Sequence, residues 1–171
     1  MRLPRRSFIR NVAVATAGFT IVPRHVLGRG FVPPSETLNH VIVGCGGISS
    51  MHSEPRMTGS NRILAVCDVD AHHMQAKFDR VKSAGGGNPI MAKDFREVIN
   101  LPDADVVHVC TPPHWHGVIA AQAARANKAV WCEKPLTRTI GEGLALRQVV
   151  QAAKVPFRVN TWFRLNRTNY Y

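Results

Sequence analysis

The feature that most constrains this chain is a short apolar run that stops at a cluster of glycines. Residues 38–43 read L-N-H-V-I-V, and Gly44-Cys45-Gly46-Gly47-Ile48-Ser49 follows at once. β-Branched residues favour a strand. Glycines directly after it let the chain turn sharply into a helix. Similar runs recur at 63–69, 105–111, 128–132 and 156–161, with a shorter one at Ile90–Ala92. They lack strict polar–apolar alternation, as strands buried on both faces of a parallel sheet do. Helical patterns fill the gaps at 71–84, 95–100, 117–127 and 141–154. This order predicts an α/β fold, a doubly wound parallel sheet with right-handed crossovers. Pro55 should kink or shorten the helix that the glycine loop opens.

Composition narrows the function classes. The chain has 171 residues, 45% of them hydrophobic, which suffices for one core without disulfide staples. No run of eighteen apolar residues is present, so no bilayer-spanning helix is expected. The formal charge of +11 is confined to the ends. Residues 1–30 hold six basic residues and no acid, residues 143–171 hold five and none, and residues 31–142 hold eleven of each sign. A nucleic-acid surface needs its positive charge on the folded body, so no nucleic-acid partner is expected.

Residues 1–30 read as an address. A basic start, M-R-L-P-R-R-S-F-I-R, precedes a thirteen-residue apolar stretch from Asn11 to Pro23. Arg5-Arg6-Ser7-Phe8 resembles the twin-arginine export signal, which implies the twin-arginine export machinery as a partner and a periplasmic or exported location. No clean small-x-small cleavage site follows. Cys45, Cys67, Cys110 and Cys132 are spaced 22, 43 and 22 residues apart. No C-x-x-C is among them, and each ends or follows an apolar run, so they read as small core residues, with a disulfide in an oxidising compartment left open by the sequence.

The glycine loop suits an anion. Gly44 permits the turn, and Gly46 lets backbone approach a pyrophosphate. The N–H groups at Gly46, Gly47 and Ile48, with the start of the next helix, then face the negative charge. Ser49 stands where Gly or Ala is usual. Asp68 ends the second run, 24 residues after Gly44, where a carboxylate can accept both hydroxyls of an adenosine ribose. The same charge repels a 2′-phosphate, and Val69 follows with no Arg, so NAD is expected over NADP. Asp70 is the expected cap of the next helix. His40 and His108 fall on strands that neighbour each other in the usual order and are expected to bond to one another in the core. His72 and His73 open a helix and should be solvated.

Three further stretches complete the pattern: Cys110-Thr111-Pro112-Pro113-His114-Trp115-His116, Glu133-Lys134-Pro135, and Val159-Asn160-Thr161-Trp162-Phe163-Arg164. With the glycine loop and Asp68, the chain resembles the Gfo/Idh/MocA oxidoreductases, especially their exported branch. The resemblance implies a Rossmann domain binding NAD(P) at 37–161, followed in full-length members by an α/β substrate domain that also forms the oligomer interface. The sequence stops at Tyr171, so 162–171 is expected to be a stub and the chain a truncated one. It implies hydride transfer between the cofactor and a small sugar or polyol, by a site of which this chain supplies part. It places Gly44, Gly46, Gly47, Ile48 and Asp68 at the cofactor, and Thr111, Pro112 and Pro113 along the ribose and nicotinamide. His116 closes that segment, Glu133 contacts the nicotinamide ribose, and Lys134 is the catalytic residue at the substrate oxygen. Independently, a Lys at the carboxyl end of a parallel strand lies where ligands of such sheets bind. The bond before Pro135 can be cis or trans on sequence alone. His114 and His116 have no third ligand nearby, so no metal is expected. Two other readings stay open: an NAD-dependent glycosidase of the same family, and a dinucleotide-binding module without turnover.

Overall fold

The computed structural model describes residues 36–53 and 61–161. Residues 1–30, expected above to be an export signal, Pro55, and residues 162–171, expected to be a stub, lie outside the described residues.

Six strands form one sheet. They are β1 (Asn39–Val43), β2 (Arg62–Cys67), β3 (Ile90–Ala92), β4 (Val106–Val109), β5 (Ala129–Glu133) and β6 (Phe157–Asn160). All pairings are parallel. The order is β3-β2-β1-β4-β5-β6, so the winding reverses between β1 and β4. The connecting helices are α1 (Ser49–His52), α2 (Ala71–Ser83), α3 (Phe95–Ile99), α4 (Pro113–Arg125) and α5 (Ile140–Ala153).

Local chemistry sets the helix ends. Asp70 caps α2, its carboxylate accepting from the N–H groups of His72 and His73, as a cap residue should. Asp94 does the same for α3 through Arg96 N–H. Thr139 caps α5 and accepts from Glu142 N–H, while Glu142 accepts in return from Arg138 N–H. α4 begins at Pro113, four residues before the apolar pattern predicts. Pro112 and Pro113 explain this: proline cannot donate an N–H, and its fixed φ suits the first helical position. α1 is a single turn ending at Ser53.

The two faces of the sheet differ. Val41, Val43, Val107, Val109, Val130 and Cys132 point to one face and pack against Ile119, Ala120 and Ala123 of α4, Ile99 of α3 and Leu146 of α5. On the other face, Ile42, Ile63 and Val66 pack against Met74 and Val81 of α2. Beyond β1 that second face turns polar. Strand alternation puts His40, His108, Trp131, Glu133, Arg158 and Asn160 there. Full burial in apolar surroundings, expected from the runs, therefore holds for one face only. The four cysteines are buried and unpaired. Burial foremost pushes the thiols of Cys45, Cys67 and Cys132 up to about 12, and that of Cys110 well above its usual value. They are inert core groups.

Candidate functional site

The reversal between β1 and β4 leaves a crevice at the carboxyl ends of the strands, where ligands of open α/β sheets bind. A cavity of about 850 Å³ lies there, between the glycine loop, the ends of β2 and β4, and the start of α3. That is within the roughly 300–1,000 Å³ of small-molecule and cofactor sites.

Gly44 has φ +92°, and a Cβ on it would sit 2.6 Å from the carbonyl carbon of Cys110 and the nitrogen of Thr111. Backbone meets backbone, so no side chain fits. This glycine lets the end of β1 lie against the end of β4. Gly46 and Gly47 differ: a Cβ on either would meet nothing within 4 Å. No protein neighbour accounts for them, and both line the cavity. Among the described residues the N–H groups of Gly46, Gly47 and Ile48 have no acceptor, so they are available to an anion. α1 is too short to add much dipole; the cradle is local N–H groups. Ser49 is fully buried, and its hydroxyl donates to Gly46 O at 2.6 Å. That bond satisfies the hydroxyl and explains why serine stands in this third position.

Asp68 closes the cradle. Its Oδ2 accepts from Cys45 N–H at 2.6 Å and its Oδ1 from Asp70 N–H at 2.9 Å. Each oxygen keeps a second lone pair for a ligand hydroxyl. Val69 beside it is 85% exposed. Across the cavity stand Thr111, Pro112, His114 and Trp115. Among the described residues, Thr111 Oγ1 is buried without a hydrogen-bond partner. Bare N–H groups, unexplained glycines, a carboxylate and an orphaned hydroxyl fit a dinucleotide.

Gly44, Gly46, Gly47, Ile48, Asp68, Thr111 and Pro112 therefore meet around one cavity. Pro113, His116, Glu133 and Lys134 do not line it. Pro113 is the first residue of α4. His116, 1% exposed, bonds through Nδ1 to Pro135 O at 2.7 Å and through Nε2 to Thr111 O at 2.6 Å. His116 thus staples the loop after β4 to the loop after β5, and neither nitrogen is open to a metal. Among the described residues, no group of three or more His, Cys, Asp or Glu could hold a metal ion. Glu133 is 2% exposed and faces His52 and Asn160. Lys134 is exposed at the end of β5, its N–H donating to Glu133 Oε2 at 3.1 Å, and the Lys134–Pro135 bond is cis.

Sequence reasoning missed the wall after β3: Lys93, Asp94, Phe95 and Arg96 line the cavity too. Arg96 bonds Asp94 at 3.0 Å and lies 4.9 Å over the Phe95 ring. The signal was available, since a strand order beginning 3-2-1 puts the carboxyl end of β3 beside that of β2. His73 of α2 also reaches the cavity.

The strand order, the glycine turn at the reversal and the acid after β2 define a dinucleotide-binding Rossmann domain. The model of the oxidoreductase family with NAD-binding Rossmann fold, GFO_IDH_MocA, matches residues 38–161, and the chain belongs to that family. It is 35% identical over 111 residues to inositol 2-dehydrogenase of Salmonella typhimurium, covering 62% of this chain and 31% of that protein. It is 30% identical over 117 residues to glycosyl hydrolase family 109 protein 2 of Shewanella sp. ANA-3, covering 65% and 25%. The solved structure of a levoglucosan dehydrogenase with NADH and levoglucosan superposes with TM-score 0.65 at 28% identity, covering 75% of this chain and 36% of that one. The chain thus matches a quarter of the length of one of these two curated relatives and about a third of the other.

Proposed function

We propose that this chain holds NAD for an oxidoreductase that moves a hydride between nicotinamide and a carbinol carbon of a sugar or polyol. The observation that carries the reading is the pairing of Asp68 with a cradle of unpartnered N–H groups around one cavity. The names of the inositol and levoglucosan dehydrogenases support the substrate class.

Bound nicotinamide supplies the hydride chemistry; the residues supply binding and orientation. The N–H groups of Gly46, Gly47 and Ile48 face the pyrophosphate, and Asp68 accepts from the adenosine ribose. Thr111 lines the same cavity and would border the bound cofactor. Lys134 assists at the substrate oxygen as the resemblance implies, on a corner fixed from two sides by Glu133 and His116. NAD is favoured over NADP because Asp68 repels a 2′-phosphate and Val69 offers no cation. Arg96 is already neutralised by Asp94, which leaves Lys93 as the cation that favours the opposite choice. Titrating the chain with NADH and with NADPH tests this directly: equal affinities, or tighter NADPH, overturn the preference.

A second reading, an NAD-dependent glycosidase, has the similarity to a family 109 glycosyl hydrolase behind it. Release of an aglycone without net NADH would favour it over simple dehydrogenation. Binding without any turnover is the third outcome. We also propose export through the twin-arginine route; Arg5→Lys with Arg6→Lys should abolish it, and unchanged export would refute it.

A further inference from the structure

Three buried imidazoles are joined nitrogen to nitrogen across the polar face of the sheet. His40 Nδ1 lies 2.6 Å from His108 Nε2, and His108 Nδ1 lies 2.8 Å from His52 Nδ1. His52 Nε2 then lies 2.7 Å from Glu133 Oε1. His52 and His108 are fully buried and His40 nearly so. At the far end, among the described residues, His40 Nε2 is buried without a partner. The chain starts near the amino end of β1 and finishes at the carboxyl end of β5.

The hydrogen-bond inventory allows few arrangements. An ionised Glu133 only accepts, and it also receives Asn160 Nδ2–H at 2.5 Å and Lys134 N–H at 3.1 Å. His52 must then donate from Nε2, which leaves its Nδ1 as acceptor. His108 must donate from Nδ1 and accept at Nε2, and His40 must donate from Nδ1. Every bond points towards Glu133, and His40 Nε2 is left as a bare lone pair. A buried orphan acceptor is tolerated better than a buried orphan N–H. Burial foremost, with the neighbouring imidazoles, holds His108 well below its ordinary value, which agrees with a neutral ring.

We propose that His40, His108, His52 and Glu133 form one proton relay, polarised by the Glu133 carboxylate, which exchanges a proton between His40 and the corner before Lys134. A proton bonding to His40 Nε2 releases the Nδ1 proton to His108 Nε2. The His108 Nδ1 proton passes to His52 Nδ1, and the His52 Nε2 proton is shared with or given to Glu133 Oε1. One proton enters, two or three short transfers follow, and no electron moves. Burial foremost holds His40 below its ordinary value, and the exposed carboxylate of Asp105, just before β4, partly offsets this. Other charged or titratable groups nearby are Cys110 and Cys132 beside Glu133. Arg158 lies over Trp131, whose ring stacks on His108. Lys77 donates to Ser50 and Ser53 of the α1 turn. In carbonyl reduction, which takes up a proton with each hydride, the relay run in this direction brings one to the corner before Lys134. That use rests on the hydride-transfer reading; the relay itself does not.

Long-range proton–nitrogen NMR of the full chain labelled with ¹⁵N-histidine reads each tautomer without cofactor or substrate. Expected at pH 7 are Nδ1–H on His40, Nδ1–H on His108 and Nε2–H on His52. Glu133→Gln replaces the carboxylate by an amide that can donate or accept, so all three rings should lose their fixed tautomer together, His40 included. Asp105→Asn, an exposed change, should leave the tautomers intact and move the acid-side change of all three rings jointly to lower pH. A different tautomer set in the unaltered chain overturns the relay. So does a Glu133→Gln effect confined to His52, or rings that respond to acid separately. Dinucleotide binding measured on the same sample reports on the cofactor reading independently.

Discussion

At the scale of single residues, Asp68 and Gly44 act for different reasons and should fail differently. Asp68→Ala removes a carboxylate whose remaining lone pairs face the ligand. Charge-assisted bonds of this kind are worth about 1.5–3 kcal/mol, so NADH affinity should fall roughly 10- to 100-fold. Circular dichroism should show the fold kept, and an unchanged affinity would remove Asp68 from the site. Gly44→Ala drives a methyl into the backbone of Cys110 and Thr111 at positive φ. It should cost about 3 kcal/mol in a urea melt; a neutral result would mean the two strand ends can part. Both residues were legible in the sequence, because a glycine after a strand and an acid about 20 residues on have few other combined uses. The setting of Glu133 was not legible. The resemblance turns it towards the nicotinamide ribose, whereas its carboxylate here faces His52 and Asn160. His52 sits on a one-turn helix and Asn160 on the last strand, and only the folded sheet brings them together.

At the scale of elements, the strands and their parallel order could be read from apolar runs, and α2 from its aspartate cap. The start of α4 could not, because a proline pair looks like loop in a pattern search while its geometry opens a helix. The polar half of the sheet was also hidden: His40 and His108 were readable as partners, but the strand register that extends them to Trp131 and Asn160 is tertiary. This element pair has a pH consequence. His108 titrates well below 6.5 when folded and near 6.5 when unfolded. The unfolded chain therefore binds more protons below pH 6.5, and stability falls as pH falls through that value. The slope for one buried neutral histidine is up to about 1.4 kcal/mol per pH unit. Urea melts at pH 7 and pH 5 should show the loss, and His108→Gln should flatten it. The Asp70 cap of α2 works in a lower window. Its N–H partners hold the carboxyl below 3.8, so its contribution is complete above 3.8 and disappears as pH drops through the lowered value. Asp70→Ala should lower the melting temperature at pH 7 and have little effect in strong acid.

At the scale of the whole molecule, the sheet's one reversal decides where a ligand can sit. The glycines, Asp68 and Thr111 come from three strand ends and meet only because β1 lies between β2 and β4. The wall from Lys93 to Arg96 shows how a short third strand enlarges the same cavity. Isothermal calorimetry of the folded chain with NADH tests this arrangement most directly. One dinucleotide should bind per chain, more tightly as NADH than as NADPH, and Asp68→Ala should weaken it. A chain that melts cooperatively yet gives no binding heat at several temperatures with either dinucleotide would contradict it.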